Sequence, residues 1–360
     1  MVWQLAKIAA VVALLGTAAA VVRRGRLHPA LEAIRRAQGG APAPGVSAKR
    51  KMLALVLAIL AALVAVAGGT EVQLQIILDQ AGFFCGSIDG VWGRKSEAAL
   101  AAYARSLGIA PLASSTGAER AEALRFLNRS AVPLFKWHAI SAQDVKSVTG
   151  PLPGTPQGKA ALDALGYETL EEALAEKGHC SPALLRALNP SADWPNPAEG
   201  TQVVMPAVRR MEFLTQAQRR NLHWPKAAQL RVSLAGKSIS AYDAKGARIA
   251  YAPCSIAAKR SNLPPQGVVT VSTMAQLPNY TWSPDSAADG TSKYILSPGP
   301  NNPVGLAWIG LSLPGYGIHG TPYPEQIGRA ESHGCFRLAN WCAVWFYNLV
   351  DTGVKVVIEN

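Results

Sequence analysis

Acidic residues are scarce in this chain: 23 aspartates and glutamates stand against 35 lysines and arginines, a formal charge of +12 over 360 residues. An excess of that size raises nucleic acid as a partner, so its placement along the chain matters. Residues 1–51 hold nine basic side chains against the single acid Glu32, which leaves only +4 for everything after them. That remainder has no basic patch interleaved with aromatics, which removes the ground for a nucleic-acid partner. Cysteine is sparse too. Cys85, Cys180, Cys254, Cys335 and Cys342 are widely spread, without the paired spacing of a zinc site or the density of a disulfide scaffold. Five is an odd number, so at least one thiol is unpaired within the chain. Apolar residues are not lacking: at 49% they suffice for the cores of two or three domains and exclude a disordered chain.

The basic excess coincides with two apolar stretches, residues 8–22 and 52–67, the second free of charge. Each is short for a spanning helix of roughly 20 residues, and both lengthen if flanking residues count. The second also reads as a signal peptide, with Lys49-Arg50-Lys51 as its positive end, residues 53–63 as its apolar core and Ala65-Val66-Ala67 as a cleavage site. Uncleaved, the basic linker stays cytoplasmic and everything after residue 70 faces outward. Residues 1–69 are therefore expected to be a membrane anchor, a signal peptide or both, and either reading exports the rest.

Beyond them, Leu74, Ile77, Leu78 and Ala81 fall at helical spacing and Gly82 stops the helix. Asp89-Gly90 and Gly93 mark a turn, and Ser96 is expected to cap a second helix bearing Ala99, Leu100 and Tyr103. This pattern over 70–110, with its Asp-Gly-Val-Trp-Gly turn, resembles the small helical peptidoglycan-binding domain; a generic helical hairpin is the alternative. Residues 111–160 end in a run of prolines between Gly150 and Pro156 and read as a linker or extended arm. In 161–208, helical spacing at Leu170, Leu174, Ala175, Leu184, Leu185 and Leu188 is followed by a strand closed by Pro206. The run from Cys180 to Pro190 with that strand resembles a LysM-type glycan-binding module whose first strand is lost or varied; a helical spacer is the alternative. Residues 209–228 form a second linker.

From residue 229 the texture changes to short runs at 230–234, 238–242, 249–252, 267–271 and 354–358, broken by Gly and Pro turns, which predicts a mostly-β domain over 229–360. Residues 341–350 predict one buried helix, N-capped by Asn340 and ended by Gly353.

Within that domain lie Gly315-Tyr316-Gly317-Ile318-His319-Gly320-Thr321 and Ser332-His333-Gly334-Cys335-Phe336-Arg337-Leu338. A thiol becomes a strong nucleophile as thiolate, and an adjacent imidazole supplies the base and a stabilising cation. His319 and His333 are the candidates. Gly334 lets a carbonyl approach backbone N–H groups that can form an oxyanion hole. Arg337, two residues on, shares a face with Cys335 in an extended strand and suits a carboxylate or carbonyl of an acidic peptide. On residue types alone this is Cys/His acyl transfer, with a buried structural cysteine as the alternative. Two such residues do not make a metal set of three or four, so no metal or cofactor is expected.

The order His-Gly-Thr then Ser-His-Gly-Cys-x-Arg-Leu closely resembles the L,D-transpeptidase family, the YkuD-type domain, together with Pro264-Pro265-Gln266-Gly267 and the stretch from Pro298 to Gly305. The resemblance implies Cys335 as nucleophile, His319 as general base oriented by the Gly320 carbonyl, Ser332, His333 and Gly334 shaping the oxyanion site, and Arg337 supporting substrate. Tyr316 and Trp308 are candidates for the cleft wall. It implies a multidomain envelope enzyme acting on peptidoglycan stem peptides, with a second stem, an envelope protein or water as acceptor. Cys342 departs from the aspartate common after Asn-Trp and is either a buried thiol or an oxidation partner of Cys335. The rivals are a wall-anchoring protein without catalysis and an NlpC-type cysteine peptidase, in which the cysteine precedes its histidine.

Overall fold

The computed structural model describes residues 69–128, 132–283, 293–332 and 334–360, so the apolar stretches and basic linker expected to anchor or export the chain lie outside the described residues. Among the described residues no helix is long and apolar enough to cross a membrane. The described residues form one compact unit.

Three helices begin it: α1 (Gly69–Gln80), α2 (Arg94–Ser106) and α3 (Gly117–Leu127). Leu74 and Leu78 of α1 meet Phe83, Ala99, Leu100 and Ala123 in a shared apolar cluster. Gly82 ends α1 with φ +81°, and a Cβ there would lie 2.7 Å from the Trp345 ring, so only glycine allows this close approach. The Asp89-Gly90 turn is tied to α1 by Gln75, whose Oε1 accepts from both backbone N–H groups at 3.0 and 2.8 Å and whose Nε2 donates to Asp89 at 2.9 Å. Ser96 is not the cap of α2. Gly93 holds that position without a side-chain cap, and Ser96 is buried in the first turn within reach of Gln75.

The stretch read as a linker is folded. It contains α3, strand β1 (Phe135–Ala139) and the short helices α4 (Ala142–Lys146) and α5 (Pro156–Ala160). After α6 (Leu170–Lys177) and α7 (Pro182–Leu188), strand β2 (Gln202–Pro206) returns antiparallel to β1, Trp137 facing Val204. Strand β2 of 161–208 is thus paired with a strand, 135–139, from the stretch read as a linker. Local pattern could not reveal it, because its hydrogen-bond partner lies beyond two further pairs of helices. A capped turn, α8 (Gln216–Asn221), leads into the last region.

There β3 (Gln229–Ser233), β4 (Ser238–Tyr242), β5 (Arg248–Pro253), β6 (Ile256–Ala257), β7 (Gly267–Gln276), β8 (Tyr280–Trp282), β9 (Tyr294–Leu296), β10 (Ala307–Leu311), β11 (Gly317–His319), β12 (Ala330–Ser332) and β13 (Phe336–Arg337) precede helix α9 (Asn340–Leu349) and strand β14 (Lys355–Glu359). Eight of them form one sheet in the order β13-β11-β10-β7-β14-β3-β4-β5. The final strand lies inside it, parallel to β3 and antiparallel to β7, which explains its near-continuous apolar run. Helix α9 is buried almost all round, and Trp341, Cys342, Val344 and Phe346 join Leu230, Val232, Ile309, Ile318 and Val356 in the main core. Asn340 is the first residue of α9 rather than its cap, which is Ala339.

Candidate active site

The sheet brings together two motifs that are separate in sequence. β10 and β11 run antiparallel with Trp308 opposite His319, while β11 and β13 run parallel with His319 beside Arg337. Cys335 immediately precedes β13, so its thiol falls at the end of the same strand pair. A cleft of about 600 Å³ opens there, with Trp308, His319, Gly334, Cys335 and Arg337 in its wall. Gly317 permits this geometry: a Cβ on it would lie 2.6 Å from the Trp308 indole, which instead stacks on the His319 imidazole at 5.5 Å and 19°.

His319 is buried at 4% exposure, and its Nδ1 lies 2.6 Å from the Gly320 carbonyl oxygen. A carbonyl only accepts, so Nδ1 carries the proton and Nε2 keeps its lone pair. Burial pulls the imidazole down to about 4, against the pull of Gly320 and with help from the Arg337 charge. Burial pushes the Cys335 thiol upward, partly offset by a Gly317 backbone hydrogen bond and by Arg337. The thiol donates to the Gly315 carbonyl at 3.5 Å. Both shifts favour neutral partners at rest, so the arrangement suits proton transfer during attack rather than a standing thiolate–imidazolium pair.

Residues 227–358 match the model of the L,D-transpeptidase catalytic domain, YkuD. This region is an L,D-transpeptidase catalytic domain. Two curated relatives carry L,D-transpeptidase in their names: YqjB of Bacillus subtilis, 33% identical over 107 residues (28% of this chain, 55% of that protein), and YkuD of Bacillus licheniformis, 26% identical over 191 residues (53% and 93%). The chain thus spans about half the length of YqjB. Among solved structures, L,D-transpeptidase 3 of Mycobacterium tuberculosis with a faropenem-derived adduct is 18% identical at TM-score 0.31, covering 45% of this chain and 75% of that one. The ertapenem-acylated catalytic domain from E. faecium is 20% identical at TM-score 0.30, covering 37% and 97%.

Within the L,D-transpeptidase domain the other expected residues divide. Gly334 is buried beside the thiol, and Arg337 lines the cleft with no acidic partner among the described residues. Ser332 ends β12, its backbone paired with Ala257 of β6. His333 lies outside the described residues. Tyr316 stands behind Gly334 of the cleft wall: its hydroxyl donates to the Asn262 carbonyl at 3.2 Å, and a Cβ on Gly334 would come within 3.3 Å of its ring. Cys342 is a buried core thiol on α9, pushed well up by burial and by Asp79 and Cys85, and all five cysteines are unbridged. Among the described residues no cluster of three potential metal ligands occurs.

Sequence reasoning missed the buried groups behind the site. Asn340 is fully buried, and its Oδ1 accepts from the Leu306 N–H at 3.1 Å while Nδ2 donates to Glu176 and to the Pro300 carbonyl at 3.0 and 3.1 Å. His179 stacks on Trp341 at 5.1 Å and 10°, with its Nδ1 2.9 Å from Asp79 of α1. The adjacency of Asn340-Trp341 to the motif was the available signal; Glu176, the most distant partner of Asn340, lies 164 residues away.

Proposed function

We propose that this protein is a peptidoglycan L,D-transpeptidase in which Cys335 is the nucleophile and His319 the general base. The observation that carries the reading is the parallel pairing of β11 with β13, which puts a thiol and a tautomer-fixed imidazole in the wall of one cleft. Cys335 Sγ attacks the carbonyl of the third residue of a tetrapeptide stem as His319 Nε2 takes the thiol proton. The imidazolium returns that proton to the departing nitrogen, the C–N bond to D-alanine breaks, and a thioester remains. An amine then attacks the thioester, loses its proton to His319, and the thiol is restored by that proton. A second stem as acceptor makes a 3–3 cross-link, an envelope protein is attached by its own amine, and water trims the stem instead. Backbone N–H groups at Gly334 and Cys335 receive the developing oxyanion, and Arg337 holds a carboxylate of the acidic stem.

The same reading assigns 70–110 and 161–208 to glycan binding, and residues 1–69 to export into or anchoring at the bacterial cell envelope. It is tested by incubating the protein with a disaccharide-tetrapeptide, beside Cys335→Ala, and following products by mass spectrometry. Tripeptide or 3–3 dimer with released D-alanine, absent with Cys335→Ala, is the expected result. Unchanged tetrapeptide with a folded protein and a reduced Cys335 would favour a wall-binding protein without catalysis.

A further inference from the structure

Glu176 lies near the end of α6, only 6% exposed, and among the described residues no basic side chain pairs with it. Burial pushes its carboxyl up to about 8. A buried carboxyl without a cation destabilises a fold relative to an apolar side chain of the same size. Its contacts indicate what it does instead. Glu176 Oε1 accepts from Asn340 Nδ2 at 3.0 Å and from the Tyr167 hydroxyl at 3.3 Å.

That contact sets which way the Asn340 amide faces. With Nδ2 turned to Glu176 and the Pro300 carbonyl, Oδ1 faces the Leu306 N–H; the reverse orientation would set donor against donor. Oδ1 occupies a gap left by two glycines, since a Cβ on Gly305 or Gly320 would lie 2.0 or 2.1 Å from it. Gly320 is the residue whose carbonyl holds His319 Nδ1. A continuous set of contacts therefore runs from α6, outside residues 227–358, through the Asn340 amide to the backbone that orients the imidazole.

We propose that Glu176 is a positioning residue for His319: by holding the Asn340 amide it fixes the Gly320 carbonyl, making α6 a structural part of the active site. The inference rests on the acyl-transfer reading of Cys335 and His319. It follows that the catalytic domain depends for its activity on the docking of the preceding unit, whatever that unit binds.

The test uses the full chain and the rate of Cys335 alkylation by iodoacetamide as a function of pH, which needs no peptidoglycan; the other four cysteines are buried. Glu176→Met keeps the volume and removes the acceptor, while Glu176→Gln keeps an acceptor oxygen. The expected result is a folded Glu176→Met protein alkylated about tenfold more slowly than wild type, with Glu176→Gln restoring the rate to within about twofold. A folded Glu176→Met protein with the wild-type rate and pH profile would overturn the proposal, and so would a Gln variant as slow as the Met variant. If Glu176→Met does not fold, Asn340→Asp removes the same donor from the other side, and a folded protein with the wild-type rate overturns it equally. His319→Ala keeps the two readings apart: an undiminished rate there defeats the acyl-transfer reading itself, whereas a slowed His319→Ala beside an unchanged Glu176→Met defeats only the role of Glu176.

Discussion

Two buried histidines in this molecule look alike and are built for different ends. His319 and His179 are 4% and 3% exposed, each is held through Nδ1, and each stacks on a tryptophan, Trp308 in one case and Trp341 in the other. His179 has the carboxylate partner that a catalytic histidine often has, with Asp79 oxygens at 2.9 and 3.0 Å. Yet its Nε2 is buried without a hydrogen-bond partner among the described residues, and the neighbouring thiol, Cys180, is itself buried. His319 has only a backbone carbonyl behind it, but faces a cleft that also holds a thiol. Access and the neighbouring nucleophile, rather than the strength of the group behind the ring, separate a proton carrier from a brace. His179 joins α1, α6 and α9 into one body; His319 works on what enters the cleft.

The comparison breaks most directly at the rings themselves. His319→Gln should lower D-alanine release from a tetrapeptide about a thousandfold while leaving the urea midpoint near that of wild type. Asp79→Ala should do the reverse, reducing folding stability by about 3 kcal/mol because a buried partner is removed, with turnover per folded molecule within about threefold of wild type. A large loss of turnover in folded Asp79→Ala would erase the distinction. Between these lies Gly320→Ala, whose methyl group would collide with Asn340 Oδ1. It should reduce turnover about a hundredfold through a displaced carbonyl, measured as a fall in kcat larger than any change in KM.

The smallest effect concerns acid. Burial holds His319 at about 4, below the ordinary imidazole value of 6.5. In the window between them the unfolded chain binds a proton that the folded chain does not, so stability is fully present above about 6.5 and is lost as pH falls toward 4. This group alone should cost about 1 kcal/mol on going from about pH 7 to 5.5, and the loss should be missing from His319→Gln in paired urea titrations. Glu176, with its raised carboxyl, acts in the opposite direction, as the unfolded chain ionises it earlier. The difference between the two proteins isolates His319.

Much of this was legible along the chain. Strands expected at 230–234, 238–242 and 354–358 occur at Gln229–Ser233, Ser238–Tyr242 and Lys355–Glu359, because apolar residues on a half-buried sheet leave a local pattern. The thiol, the imidazole and the glycine after it stand in a short motif whose chemistry is written in residue types. What was not legible depends on distant partners. β1 is a strand only because β2 lies beside it. Asn340 was read as a helix cap since asparagine before an apolar helix usually is one, but its amide is drawn into three contacts from other segments. Glu176 sits in Leu-Glu-Glu-Ala-Leu-Ala-Glu-Lys, where an acid reads as a solvated helix face until the fold buries it.

The most direct test of the account is intact-protein mass spectrometry of the chain quenched early after mixing with a tetrapeptide donor alone. The account predicts a thioester on Cys335 with the mass of the donor less D-alanine, formed in wild type, much slower in His319→Gln and absent in Cys335→Ala. Product formation with no adduct at Cys335, or an adduct that forms as fast without His319 as with it, would contradict it.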